Sequence, residues 1–254
     1  MVRPYSSRAI RSNGDTLADV ITVEEVNELG LDRFLAVHNV IRPAEPATPA
    51  MLIDWRRQSQ STTWLLASIE GVEAGVGLGI IGWHADPGVA RIEVEVLEEW
   101  RDHGLGMAVL DRLSAWARAG DQSHADASVE ELDAASLAWA NRRGFTEVGR
   151  SSRLILDLAT AAIPEIDPPA GITIASWADR PDALQGMYEV ACEAYPDIPA
   201  EESAEMEPFE QWRANDLDRE SDRPDATFVA FAGAEVVGYA KLSLSEARVD
   251  TGLP

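Results

Sequence analysis

The sequence predicts an α/β (α+β) fold, a mixed central sheet flanked by helices, followed by a partial second copy of the same pattern. Three observations predict it. Stretches of strand periodicity and of helical periodicity follow one another along the chain. One alternating strand runs through a glycine-bearing loop straight into an amphipathic helix. After a proline-rich stretch beginning at Ala162, the order of elements starts again.

Taken in order, Val20 to Val26 is an extended run, and Leu31, Phe34, Leu35, Val37 and His38 follow at helical spacing. Pro43, Pro46 and Pro49 break the chain, and Met51, Leu52 and Trp55 mark a second short helix ending near Ser59. Thr63 to Ile69 and Val76 to Trp83 are β-rich runs joined by Glu70-Gly71-Val72-Glu73, which is a hairpin pattern. Ile92, Val94 and Val96 alternate with Glu93 and Glu95, the period of a strand with one apolar and one polar face. Gly106 to Arg118 carries Val109, Leu110, Leu113 and Trp116 on one helical stripe, and a strand is expected near Ala125 to Val129. Leu132 to Arg143 reads as an amphipathic helix stopped by Gly144, with a strand at Val148 to Leu158 completing a first domain over residues 1–160.

Residues 161–170, with Pro164, Pro168 and Pro169, have the composition of a stiff linker. A second domain is expected over 171–254: a strand at Ile172 to Ser176, helices at Ala183 to Tyr195 and Pro208 to Asp218, and a hairpin at Thr227 to Leu244 turning at Gly233-Ala234-Glu235. Trp55-Arg56 recurs as Trp212-Arg213, and Gly75 recurs as Gly238, so a duplication is expected. The spacing from Gly75 to Gly104, laid onto Gly238, runs past Pro254, so the second copy lacks a counterpart of the glycine loop.

That loop carries the chemistry. Val94-Glu95-Val96-Leu97-Glu98-Glu99-Trp100-Arg101-Asp102-His103-Gly104-Leu105-Gly106 takes a strand into a helix through R-x-x-G-x-G. Backbone N–H groups at a helix N-terminus have no intrahelical acceptor and sit at the positive end of the helix dipole, so an anionic ligand is expected there. Gly104 and Gly106 let the backbone approach such a ligand closely. No G-x-G-x-x-G follows a first strand and no G-K-[ST] is present, which excludes the common dinucleotide and P-loop readings.

The loop in this context, with Asn141-Arg142-Arg143-Gly144-Phe145 closing the next helix, resembles the acetyl-CoA site of the GNAT acyltransferase superfamily. The resemblance implies a GNAT-type fold and acetyl-CoA as cosubstrate. It implies that Arg101, Asp102, His103, Gly104, Leu105, Gly106 and Met107 cradle the pyrophosphate, while the main chain of Val94 and Val96 pairs with the pantetheine arm. Two positions depart from the family pattern: the tyrosine that commonly protonates the leaving thiolate is Ala140, and the asparagine near the helix start is Asp133. The partial repeat is similar to tandem members of the mycothiol synthase type.

Acetyl transfer to an amine needs a base, and Glu93 and Glu95 are the catalytic candidates because one face of their strand should line the cleft. Alternating glutamates also mark a solvated strand face. His38, His84 and His124 lack metal-ligand spacing and read as surface or satisfied polar residues, so no metal is expected.

A net charge of -23, from 44 acidic and 21 basic residues, repels phosphate backbones and anionic membranes, so nucleic acid and membrane are not expected as partners. Cys192 is the only cysteine, which excludes an intramolecular disulfide and fits a cytoplasmic setting. Met1 to Val20 has no apolar core of a secretory signal, and no apolar run reaches the roughly 20 residues of a membrane helix. Three functions are expected to compete. The first is an acetyl-CoA-dependent N-acetyltransferase acting on a small-molecule amine by direct attack. The second is a non-catalytic acyl-CoA-binding module. The third is a fragment of a tandem acetyltransferase, with an unpaired edge near Tyr239 to Leu244 that a homodimer would cover.

Overall fold

A computed structural model describes residues 20–82, 87–152, 154, 156–157, 159–162, 167–197, 206–219 and 221–244. Trp83, His84, Leu158, Pro164 and the two chain ends lie outside the described residues. The chain divides into two compact units, residues 1–144 and 145–254.

The first unit runs β1 (Ile21–Val26), α1 (Leu31–Ile41), α2 (Pro49–Gln58), β2 (Ser61–Ile69), β3 (Val72–Ile81), β4 (Val89–Val96), α3 (Leu105–Ala119), β5 (His124–Asp126) and α4 (Ala134–Asn141). Its sheet has the order β1-β2-β3-β4-β5. The first four strands are antiparallel, and β5 joins β4 in parallel. Glu70 and Gly71 both take positive φ between β2 and β3, the geometry a two-residue hairpin turn demands.

The two faces of this sheet are packed differently. Trp64, Leu66, Val76, Leu78 and Ile80 point to one side, where Leu31, Phe34, Leu35 and Val37 of α1 and Leu52 of α2 bury them. Pro49 opens α2 and the Thr48 hydroxyl accepts from the Met51 N–H at 3.2 Å, which fixes where that helix begins. On the opposite face α3 lies almost on the backbone of β3. A side chain at Gly77 would meet Val109 at 2.6 Å, and one at Gly79 would meet Trp116 at 2.6 Å. These glycines set the approach of α3, and with it the position of the loop before it.

The second unit runs β6 (Ile172–Ser176), α5 (Leu184–Ala194), α6 (Phe209–Asp216), β7 (Phe228–Ala232) and β8 (Glu235–Ala240), with sheet order β6-β7-β8, all antiparallel. Ala183, Met187, Trp212, Leu217, Val229 and Phe231 form its core. Strand, two helices and hairpin follow in the order of β1 to β3, with the same pairing.

Three expectations are corrected. The described residues of the stretch Val148 to Leu158 form no strand: Val148 is 91% and Leu154 93% exposed, with no neighbouring strand to bury them. Helix α4 has no fully buried residue, and Leu132, expected on its apolar face, is exposed ahead of it. The edge expected free at Tyr239 to Leu244 is partly closed, since Ser243 bridges Asp222 and the Leu244 N–H donates to the Ser221 carbonyl at 2.7 Å.

Candidate active site

Beyond β4 the chain makes a short 3-10 turn over Glu98–Trp100, passes Asp102 at φ 64°, and enters α3 at Gly104, whose φ of 93° is left-handed. That conformation suits glycine and strains any residue with a Cβ. No side chain caps this helix. The first described backbone bond into it runs from the Ala108 N–H to the Gly104 carbonyl at 3.1 Å, leaving the amides of Leu105, Gly106 and Met107 directed out of the N-terminus. Leu105 is buried and anchors the turn, whereas Arg101, Asp102, His103 and Gly104 are exposed around it. A side chain on Gly106 would meet the Trp139 ring of α4 at 3.3 Å, so this glycine serves helix packing as well as ligand approach.

The strand leading to the loop has an open side. Pairing of β4 with β5 covers only Val89 to Arg91, while pairing with β3 continues to Val96. From Ile92 to Val96, then, the main chain of β4 has no strand neighbour on its β5 side among the described residues. Val94 and Val96 lie in this gap, which leads to the N-terminus of α3. An extended ligand with amide groups and an anionic end fits both features: main-chain pairing along the gap, uncapped N–H groups at its end.

Glu93 and Glu95 share the opposite strand face from Ile92, Val94 and Val96, toward α1. The reading of that face as solvated is corrected here, because Glu95 is 5% exposed. His38 Nδ1 lies 2.8 Å from Glu95 Oε2, and Arg42 Nε donates to Glu95 Oε1 at 2.7 Å. Burial pushes the Glu95 carboxyl up, but the hydrogen bonds and charges of His38 and Arg42 outweigh it and hold the group below the ordinary glutamate range. Glu93 behaves oppositely: burial, reinforced by the charge of Glu95, raises it, and His38, Arg42 and Arg91 offset this only in part. Two carboxylates on one strand face thus diverge: Glu95 is held ionised, and Glu93 accepts a proton more readily.

Sequence reasoning placed the loop and both glutamates but not the partners of Glu95. His38 continues the buried stripe of Leu31, Phe34 and Leu35, and a polar residue on such a stripe was the available signal. Asp133, where an asparagine is usual, caps α4 by accepting from the Ser136 N–H at 2.9 Å, and it lies 3.9 Å from Arg101. Ala140 is half-buried on α4. Among the described residues no group of three or more His, Cys, Asp or Glu is arranged to hold a metal, and no helix is long and apolar enough to cross a membrane.

Comparison with solved structures finds AAC(6')-Iy bound to the bisubstrate analogue CoA-S-monomethyl-acetylneamine, at 18% identity and TM-score 0.46, covering 54% of this chain and 99% of that one. An acetyltransferase of Trypanosoma brucei matches at 23% identity and TM-score 0.44, covering 54% and 100%. The aminoglycoside 6'-N-acetyltransferase AAC(6')-Ih of Acinetobacter baumannii matches at 19% and 0.44, covering 55% and 99%. No curated protein matches the sequence. Residues 24–145, spanning β1 to the end of the α4 turn, match the sequence profile of the Acetyltransferase (GNAT) family. The first unit of the chain is thus similar, over residues 24–145, to the Acetyltransferase (GNAT) family.

Proposed function

We propose that the first unit binds acetyl-CoA and transfers its acetyl group to the amine of a small-molecule acceptor by direct attack. The observation that carries this reading is the open side of β4 running into the uncapped N-terminus of α3. The pyrophosphate would take the amides from Asp102 to Met107, with Arg101 beside it. The pantetheine arm would pair with the main chain of Val94 and Val96, bringing the thioester to the β4 gap. The half-buried Glu93 carboxylate, which no described side chain pairs by hydrogen bond, would bind the acceptor's ammonium group. The net charge of -23 favours a cationic acceptor over an anionic one.

The repeat of strand, two helices and hairpin in the second unit supports a tandem arrangement in which the opening elements of the domain recur. A homodimer through the outer edge of β8, and a cytoplasmic setting with Cys192 reduced, complete this reading. Ala140 favours one alternative, an acyl-CoA-binding module without turnover.

Calorimetric titration of acetyl-CoA into the intact chain, beside a variant carrying Gly104→Glu and Gly106→Glu, tests the reading. Micromolar binding lost in the variant is expected, followed by acetyl-CoA-dependent thiol release with at least one member of an amine panel. A folded wild-type chain that binds no acetyl-CoA would refute it. Binding without thiol release would favour the module.

A further inference from the structure

We infer that His38, through Nε2, takes the proton from the acceptor amine, with Glu95 and Arg42 as the positioning residues that hold its ring in the competent form. This rests on the transferase reading above.

The first support is placement. Leu31, Phe34 and Leu35 put His38 on the sheet-facing stripe of α1, where its side chain keeps 12% of its exposure and lies parallel to the Phe34 ring at 6.0 Å. It meets β4 on the face that carries Glu93 and Glu95, the strand whose main chain forms the gap.

The second support is proton logic. Arg42 cannot give up its proton, and it occupies one oxygen of a carboxylate 4% exposed, which holds Glu95 as the anion. A contact of 2.8 Å between that anion and His38 Nδ1 needs a hydrogen, and only the imidazole can supply it. The neutral ring therefore carries its proton on Nδ1 and its lone pair on Nε2. No described side chain donates to Nε2. A buried carboxylate fixing the tautomer of a histidine leaves the far nitrogen as a base, the division of labour found in hydrolytic triads.

The charged groups around the Glu93 and Glu95 pair are His38 and Arg42 from α1 and Arg91 on β4, with Glu130 acting on Arg42. Glu93 draws the ammonium by charge. One N–H bond of the ammonium breaks and its proton passes to Nε2. The amine lone pair then attacks the thioester carbonyl, forming the C–N bond. As the C–S bond breaks, its electron pair leaves on the sulfur, which takes a second proton from the former ammonium nitrogen. The imidazolium returns its proton to solvent, so amide, free thiol and one proton are the products.

The test compares pH profiles of kcat/KM for the intact wild-type chain and His38→Gln, which keeps a donor toward Glu95 but has no basic nitrogen. Wild type should show an acidic limb, and the variant should lose that limb and fall by about 10²- to 10⁴-fold. Its acetyl-CoA affinity by calorimetry should stay within about twofold, since no step of cofactor binding uses the ring. A variant with the wild-type limb and a rate within about threefold overturns the assignment while leaving the transferase reading intact. A wild-type chain that binds acetyl-CoA and acetylates nothing overturns both. A readout independent of activity and of the variant's folding is the nitrogen NMR spectrum of His38 in the wild-type protein. The Nδ1–H tautomer is expected, giving way to a mixture in Glu95→Gln; an Nε2–H tautomer in wild type overturns the assignment.

Discussion

Replacing Glu95 by alanine removes an acceptor that two cationic or donor groups share. The lost contacts are those of 2.8 Å to His38 and 2.7 Å to Arg42, around a side chain 4% exposed. Breaking a fully buried ion pair costs about 3–5 kcal/mol, because the surviving charge is left without compensation. Arg42 is 33% exposed and can turn to water, which lowers the expectation to about 2–3 kcal/mol. Because the chain has two units, a global melt would mix two transitions; hydrogen exchange at the amides of β3 and β4 reads the first unit alone. Those amides should exchange about 30- to 150-fold faster in Glu95→Ala at pH 7. The folded carboxyl lies below its unfolded value, so its contribution is present above about pH 4.3 and is lost as pH falls through the folded value. The difference between wild type and variant should therefore shrink on acidification, followed by exchange of the same amides below pH 4. Equal stability at pH 7, or a difference independent of pH down to 3, would refute the reasoning.

Glu93→Gln should do the reverse: since burial raises the Glu93 carboxyl in the folded state, its ionised form weakens the fold at pH 7. The β3 and β4 amides of the variant should exchange more slowly there, with the gain vanishing below the unfolded carboxylate value, while its KM for a cationic acceptor rises at least about tenfold. Gly104→Ala, forced to φ 93° at the start of α3, should cost about 1 kcal/mol of stability and weaken acetyl-CoA in calorimetry. Ala140→Tyr should leave turnover at saturating acetyl-CoA within about twofold, since the leaving sulfur takes its proton from the acceptor nitrogen; a large gain would show that the step lacks a donor.

Most of the fold was legible because period and punctuation agree. The stripe of α1, the Glu70-Gly71 turn and the glycine before α3 each state their conformation within a few residues. The stretch around Val148 to Leu158 has strand-like composition, yet a strand exists only where a neighbour completes its hydrogen bonds, and local sequence does not contain that neighbour. The candidate site divides along the same line. Its loop is contiguous and was read directly. The Glu95 cluster joins residues 53 and 57 positions apart, from an earlier helix. Alternation alone could not distinguish a glutamate facing water from one facing His38 and Arg42, because both satisfy the period of β4.

The open side of β4 has a consequence for how ligand and fold depend on each other. A cosubstrate arm lying there would act as a temporary strand beside β4 beyond Arg91, where the pairing with β5 ends. Contacts made through main chain tolerate side-chain replacement at Val94 but not the loss of an N–H, which singles out proline as the damaging substitution. Loading should also slow amide exchange along Ile92 to Val96, and raise the melting point with the logarithm of cosubstrate concentration. The domain would thereby report its own saturation as stiffness.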